Sequence, residues 1–152
     1  MSCKALIINC MDPRLQGENL EKIAAAAGLS SGEYEVLTYP GPSLWMTDPH
    51  LPSDADSIWW ILENISINVH HVGEIVIVGH GSCGGFALKG APKDPAAEQS
   101  VITATFSPAA QAIEKRFPQL SVVCLFVKIG KSTGSGALPE IEVERVDVLA
   151  AA

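Results

Sequence analysis

The sequence predicts an α/β fold: a central, mostly parallel four-stranded sheet in the order 2-1-3-4, flanked by helices, with a C-terminal edge strand or hairpin. Three observations lead there. Short runs rich in β-branched and aliphatic residues at 4–9, 33–39, 74–79 and 120–129 have the length of strands. The segments between them space their apolar residues as helices do, and strand–helix–strand alternation implies right-handed crossovers and therefore parallel pairing. Finally, 152 residues with 47% hydrophobic content suit one domain with a real core, so a single domain over 1–152 is expected.

Each element has its own warrant. "KALIIN" (4–9) is a short buried strand, and "LEKIAAAA" (20–27) is alanine-rich and ends at Gly28, a helix with its C-cap. The second strand (33–39) runs into "PGPSLW", where two prolines enforce a loop, followed by a polar linker to Ser53. Asp54 or Asp56 can cap a helix through about Val69, with Ile58, Ile61, Leu62, Ile65 and Val69 on one face. Trp59 and Trp60 widen that stripe and suit either the core or a subunit interface. The run 74–79 is the clearest strand, of the kind buried on both faces of a parallel sheet. A loop (81–95), helices over 96–117 interrupted at Pro108, a fourth strand (120–129) and an alternating edge segment (141–148) complete the chain. "GKST" at Gly130 is a turn and not a phosphate loop, because Leu125 stands where the earlier glycine belongs and no helix follows.

A formal charge of -7 and a pI near 5.0 argue against nucleic acid and anionic membrane as partners, since all would repel. No apolar stretch reaches the roughly 20 residues of a bilayer span, and the opening is too short for a secretory signal. A cytoplasmic location is expected, with all four cysteines reduced. The glycosylation-like Asn64-Ile65-Ser66 lies in the helical pattern and is disregarded.

In parallel sheets ligands gather beyond the carboxyl ends of the strands, where the strand order reverses, which here falls between strands 1 and 3. Strand 1 runs into "NCMDPR", strand 3 into "GHGSCGG", so Cys10, Asp12 and Arg14 meet His80 and Cys83. Two thiols and an imidazole match a Cys2His zinc set with a fourth position left for water. Asp12 can reach the metal or its water, and Arg14 can hold Asp12 in a bidentate ion pair.

These residues resemble the paired Cys-x-Asp-x-Arg and His-x-x-Cys motifs of β-class carbonic anhydrases. The resemblance implies a zinc lyase with Cys10, His80 and Cys83 as metal ligands and Asp12 and Arg14 as the catalytic dyad. Zinc hydroxide would be the nucleophile in the reversible hydration of carbon dioxide to bicarbonate, with Asp12 orienting the attacking oxygen or, in an inactive form, occupying the metal. It also implies a homodimer or higher homo-oligomer. The chain departs from the family after strand 2, where Thr38-Tyr39-Pro40-Gly41-Pro42-Ser43 replaces an Arg-Asn-Ala-Gly-like segment, and in lacking a helical arm before strand 1. Two alternatives follow: hydrolysis of a related heterocumulene (carbon disulfide or carbonyl sulfide), or a non-catalytic zinc-stabilised binding protein.

Other reactive side chains have plainer readings. Cys3 and Cys124 are expected to be inert. His70 and His71 close a helix, where cations suit the dipole. His50 is a solvated loop histidine or a proton shuttle.

Overall fold

The computed structural model describes residues 3–148. Five strands form one sheet: β1 (Ala5–Asn9), β2 (Tyr34–Thr38), β3 (Glu74–His80), β4 (Ser121–Ile129) and β5 (Ile141–Val146), in the order β2-β1-β3-β4-β5. The first four are parallel, and β5 returns antiparallel along the edge of β4. The predicted 2-1-3-4 core with its C-terminal edge strand is therefore the observed one. Position in the sheet explains each strand's composition. The interior strands β1 and β3 have faces covered on both sides and are almost wholly buried, whereas β5 exposes the charged Glu142 and Arg145 and so protects the open edge.

Helices α1 (Glu18–Ala26), α2 (Leu44–Thr47), α3 (Asp54–Ile61), α4 (Gly84–Leu88), α5 (Pro95–Ala104) and α6 (Phe106–Arg116) flank the sheet. Three features differ from the sequence-based expectation. The loop and linker expected over 40–53 and the loop expected over 81–95 each contain a short helix, α2 and α4, which glycine and proline content conceals. The break expected at Pro108 falls at Thr105, because proline in the first turn of α6 lacks only an N–H that has no helical partner there. The helix expected over 54–69 is α-helical only to Ile61 and π-helical over Leu62–Ile67. Its core face is Ile58, Leu62 and Ser66, while Ile61 and Ile65 are half-buried and Val69 is exposed.

The tryptophan pair divides between two environments. Trp59 packs edge-on against the fully buried Trp45, with ring centroids 4.9 Å apart, and Trp60 is solvent-facing. His70 pairs with Glu35 of β2, and His71 takes a left-handed conformation (φ 57°) that ends the helical run.

Candidate metal centre

Because β1 and β3 are hydrogen-bonded neighbours, the chain leaving each at its carboxyl end enters the same space. Cys10 follows β1 and His80 ends β3, with Cys83 a turn later. The three candidate ligand atoms lie within 4.8 Å of one another, and all three residues are buried. His80 donates Nδ1–H to the Gly81 carbonyl at 2.9 Å, which fixes the tautomer and leaves Nε2 as an acceptor. That Nε2 is buried and has no hydrogen-bond partner. An unpaired buried nitrogen beside two sulfurs is costly unless something satisfies all three, and a soft divalent cation does.

One of the two sulfurs is already polarised toward thiolate. The Cys10 thiol is pushed well below the ordinary thiol range, chiefly by the hydrogen bond from Cys83, with help from His80 and the Gly41 amide. Cys83, the donor in that pair, is pushed up by the same contact, although the amides of Gly85 and Phe86 in the first turn of α4 oppose the shift.

Five side chains fix the turn after β1. Asp12 Oδ1 accepts from the backbone N–H and Nε–H of Arg14, both at 2.9 Å, and Oδ2 accepts from Nη2 at 2.6 Å. This contact holds the Asp12 carboxyl below its ordinary range and raises Arg14. Asn9 donates to the Leu15 carbonyl, Gln16 to the Cys10 carbonyl, and Asn19 to the carbonyls of Arg14 and Pro139. Arg14 also ties the two motifs together, since its Nη2 donates to the Ser82 carbonyl at 3.1 Å.

The segment after β2 forms a third wall. A Cβ on Gly85 would lie 2.5 Å from the Pro40 carbonyl, so only glycine lets α4 come this close, and Gly41 (φ 74°) turns its amide toward Cys10. Tyr39 donates to Asp54 at 2.8 Å and accepts from the His50 backbone N–H at 2.8 Å. Burial pushes the Tyr39 hydroxyl up to about 12. His50 donates Nε2–H to the Pro40 carbonyl at 2.9 Å, so it is a half-buried clamp on this wall and not the solvated loop histidine expected.

The structure thus brings Cys10, Asp12, Arg14, His80 and Cys83 to one place. Cys3 and Cys124 stand outside the ligand group, and burial pushes the Cys124 thiol up to about 12. Sequence reasoning missed Asn9, Gln16, Asn19 and Glu98, whose buried carboxylate binds the Ser82–Cys83 backbone. Only their contacts mark them, and no local spacing does.

A family model described as "Putative carbonic anhydrase" matches residues 1–133. The chain belongs to that family. Among solved structures, the tetrameric β-carbonic anhydrases of the ascomycete Sordaria macrospora are similar, with a TM-score of 0.61 and 13% identity over 99% of this chain and 84% of theirs. The β-carbonic anhydrase CafA of Aspergillus fumigatus gives a TM-score of 0.59 and 15% identity, covering 99% of this chain and 78% of its own. At such identities these neighbours establish the fold: this carbonic anhydrase family member has the β-class architecture, with five strands in its sheet. No curated protein matches the sequence.

Proposed function

We propose that this carbonic anhydrase family member binds one zinc ion through Cys10, His80 and Cys83 and catalyses the reversible hydration of carbon dioxide to bicarbonate. The unpaired, buried His80 Nε2 facing two sulfurs is the observation that carries the reading. Two thiolates and one imidazole suit zinc and leave room for a fourth ligand. Bound zinc supplies the Lewis acidity that lets water act as a nucleophile near neutral pH.

The protein's own groups do the rest. Asp12, held ionised by Arg14, is a fixed acceptor that orients the proton of the attacking water and aims its lone pair at the substrate carbon. Both Asp12 oxygens are engaged by Arg14 and the carboxylate stands outside the ligand group, which supports a fourth position open to water. Buried walls exclude bulk solvent behind the sulfurs, while exposed Met11 leaves the Asp12 side accessible to a small substrate. Reduced thiol ligands suit a cytoplasmic setting, and the likeness to tetrameric enzymes supports a homodimer or higher homo-oligomer of single-domain chains.

The test is metal analysis followed by a stopped-flow hydration assay across pH. One zinc per chain and hydration are expected, both lost in Cys83→Ser. Full zinc occupancy without turnover at any pH would refute the lyase reading. Hydrolysis of carbonyl sulfide or carbon disulfide by the same protein would then reassign the site.

A further inference from the structure

Glu98 is the one carboxylate buried among the described residues, 7% exposed in the first turn of α5. A charge there requires partners, and its partners are two consecutive backbone amides. Oε2 accepts from Ser82 N–H at 2.8 Å and Oε1 accepts from Cys83 N–H at 3.1 Å. Ser82 is one of two non-glycine residues with positive φ (54°) among those described, a conformation that persists only where the surroundings over-determine it. The surroundings do so from two sides. Glu98 grips the amides of residues 82 and 83, and Arg14 grips the Ser82 carbonyl at 3.1 Å.

We propose that Glu98 is a positioning residue for the metal centre: it sets the backbone between His80 and Cys83, and so the place of the Cys83 sulfur, without touching metal or substrate. The inference rests on the zinc reading above. A buried carboxylate that merely capped α5 would not need to face the ligand loop, and Asp94 already caps that helix through the Ala97 N–H at 2.9 Å. Beside Glu98, a cavity of 280 Å³ lined in part by Ser82, Cys83 and Lys93 has room for water. Water there can satisfy amides freed by substitution, so loss of Glu98 is expressed as a misplaced ligand and not as unfolding.

The experiment uses the full chain with Glu98→Met, which keeps volume but no acceptor, and Glu98→Gln, which keeps shape and one acceptor. Zinc affinity is read by competition with a chromophoric chelator, ligand geometry by the thiolate-to-metal absorption of the cobalt(II)-loaded protein, and folding by urea titration of the apoprotein. Zinc should bind about 10- to 100-fold more weakly in Glu98→Met, with a smaller loss in Glu98→Gln and a displaced cobalt band in both. Should Glu98→Met fail to fold, Glu98→Gln decides alone. Wild-type affinity and an unchanged cobalt spectrum in the folded variants would overturn the proposal, even if their stability fell. A wild-type chain that takes up no zinc would overturn the zinc reading itself, a result separable from the first.

Discussion

Asp12 and Arg14 should act as one unit, and a double-mutant cycle measures this directly. Arg14→Ala deletes both guanidinium bonds to Asp12, at 2.9 and 2.6 Å, and the 3.1 Å bridge to Ser82, while the backbone N–H contact to Asp12 survives. A buried charge-assisted bond is worth about 1.5–3 kcal/mol, but the Arg14 side chain is 36% exposed, so screening trims the whole stability loss to about 1–2 kcal/mol. The rate should suffer more than the stability. An acceptor free to rotate forfeits orientation, about 10²-fold, and Asp12→Asn, which replaces a charged acceptor with a half-donor, should cost about 10²- to 10⁴-fold. If Arg14 works only through Asp12, the double variant falls no further than Asp12→Asn, and the coupling energy equals the Arg14 effect, about 2.7 kcal/mol for 10²-fold. The assay is stopped-flow hydration normalised to bound zinc. A double variant slowed by the product of the two single effects, or Arg14→Ala at the wild-type rate, would refute the reasoning. The acid limb adds a sign. The pair lowers Asp12 below its ordinary 3.8, so its contribution to stability is complete above that pH and is lost as pH falls through the depressed folded value. The stability gap between wild type and Arg14→Ala should therefore close in strong acid.

Gly85→Ala should destabilise the protein by about 1–3 kcal/mol in urea titration, since its Cβ would sit 2.5 Å from the Pro40 carbonyl and must push away the wall that brings the Gly41 amide to Cys10. Wild-type stability in that variant would mean the close approach is not needed. In an alkaline titration, the tyrosinate absorbance of wild type minus Tyr39→Phe should rise only near pH 12. Tyr39 titrates above its ordinary 10.0, so the stability it contributes is complete below that value and disappears as pH rises through the folded one; a difference signal at pH 10 would break the account. His50→Ala removes the clamp on the Pro40 carbonyl and should lower Tm by about 2–4 °C with no change in the buffer dependence of turnover. Turnover that imidazole buffer restores would show instead that His50 carries protons.

What could be read in the chain and what could not divides along physical lines. Hydrophobic runs at 4–9, 74–79 and 120–129 alternate with helices and so suit a parallel sheet, and with the 2-1-3-4 order common to such sheets Cys10 meets His80 and Cys83. Short helices did not follow. The helices α2 and α4 have four and five residues, too few for a periodic signal, and tertiary contacts hold them where glycine and proline suggest loop. The π-helical segment Leu62–Ile67 is hidden for a different reason: its buried Leu62 and Ser66 fit the same spacing as an α-helix until the chain is seen to shift its face.

The site divides in the same way. Ligands declare themselves because their chemistry is rare and their spacing is local, whereas the groups that hold them use ordinary amides and a carboxylate drawn from any distance along the chain. Asn19 reaches a carbonyl 120 positions away at Pro139, and Glu98 reaches back across 15 positions to Cys83. Gln16 and Asn19 hold the carbonyls of Cys10 and Arg14, and Glu98 holds the amides of Ser82 and Cys83, so the turn after β1 and the turn after β3 are both held by bonds that involve no metal. A site held that way does not need the cation to shape it. On the proposed zinc reading, affinity would then depend on how little the ligands must move on binding as well as on which atoms they are, and a sequence that kept both motifs but lost these pins would retain the ligand set and bind more weakly.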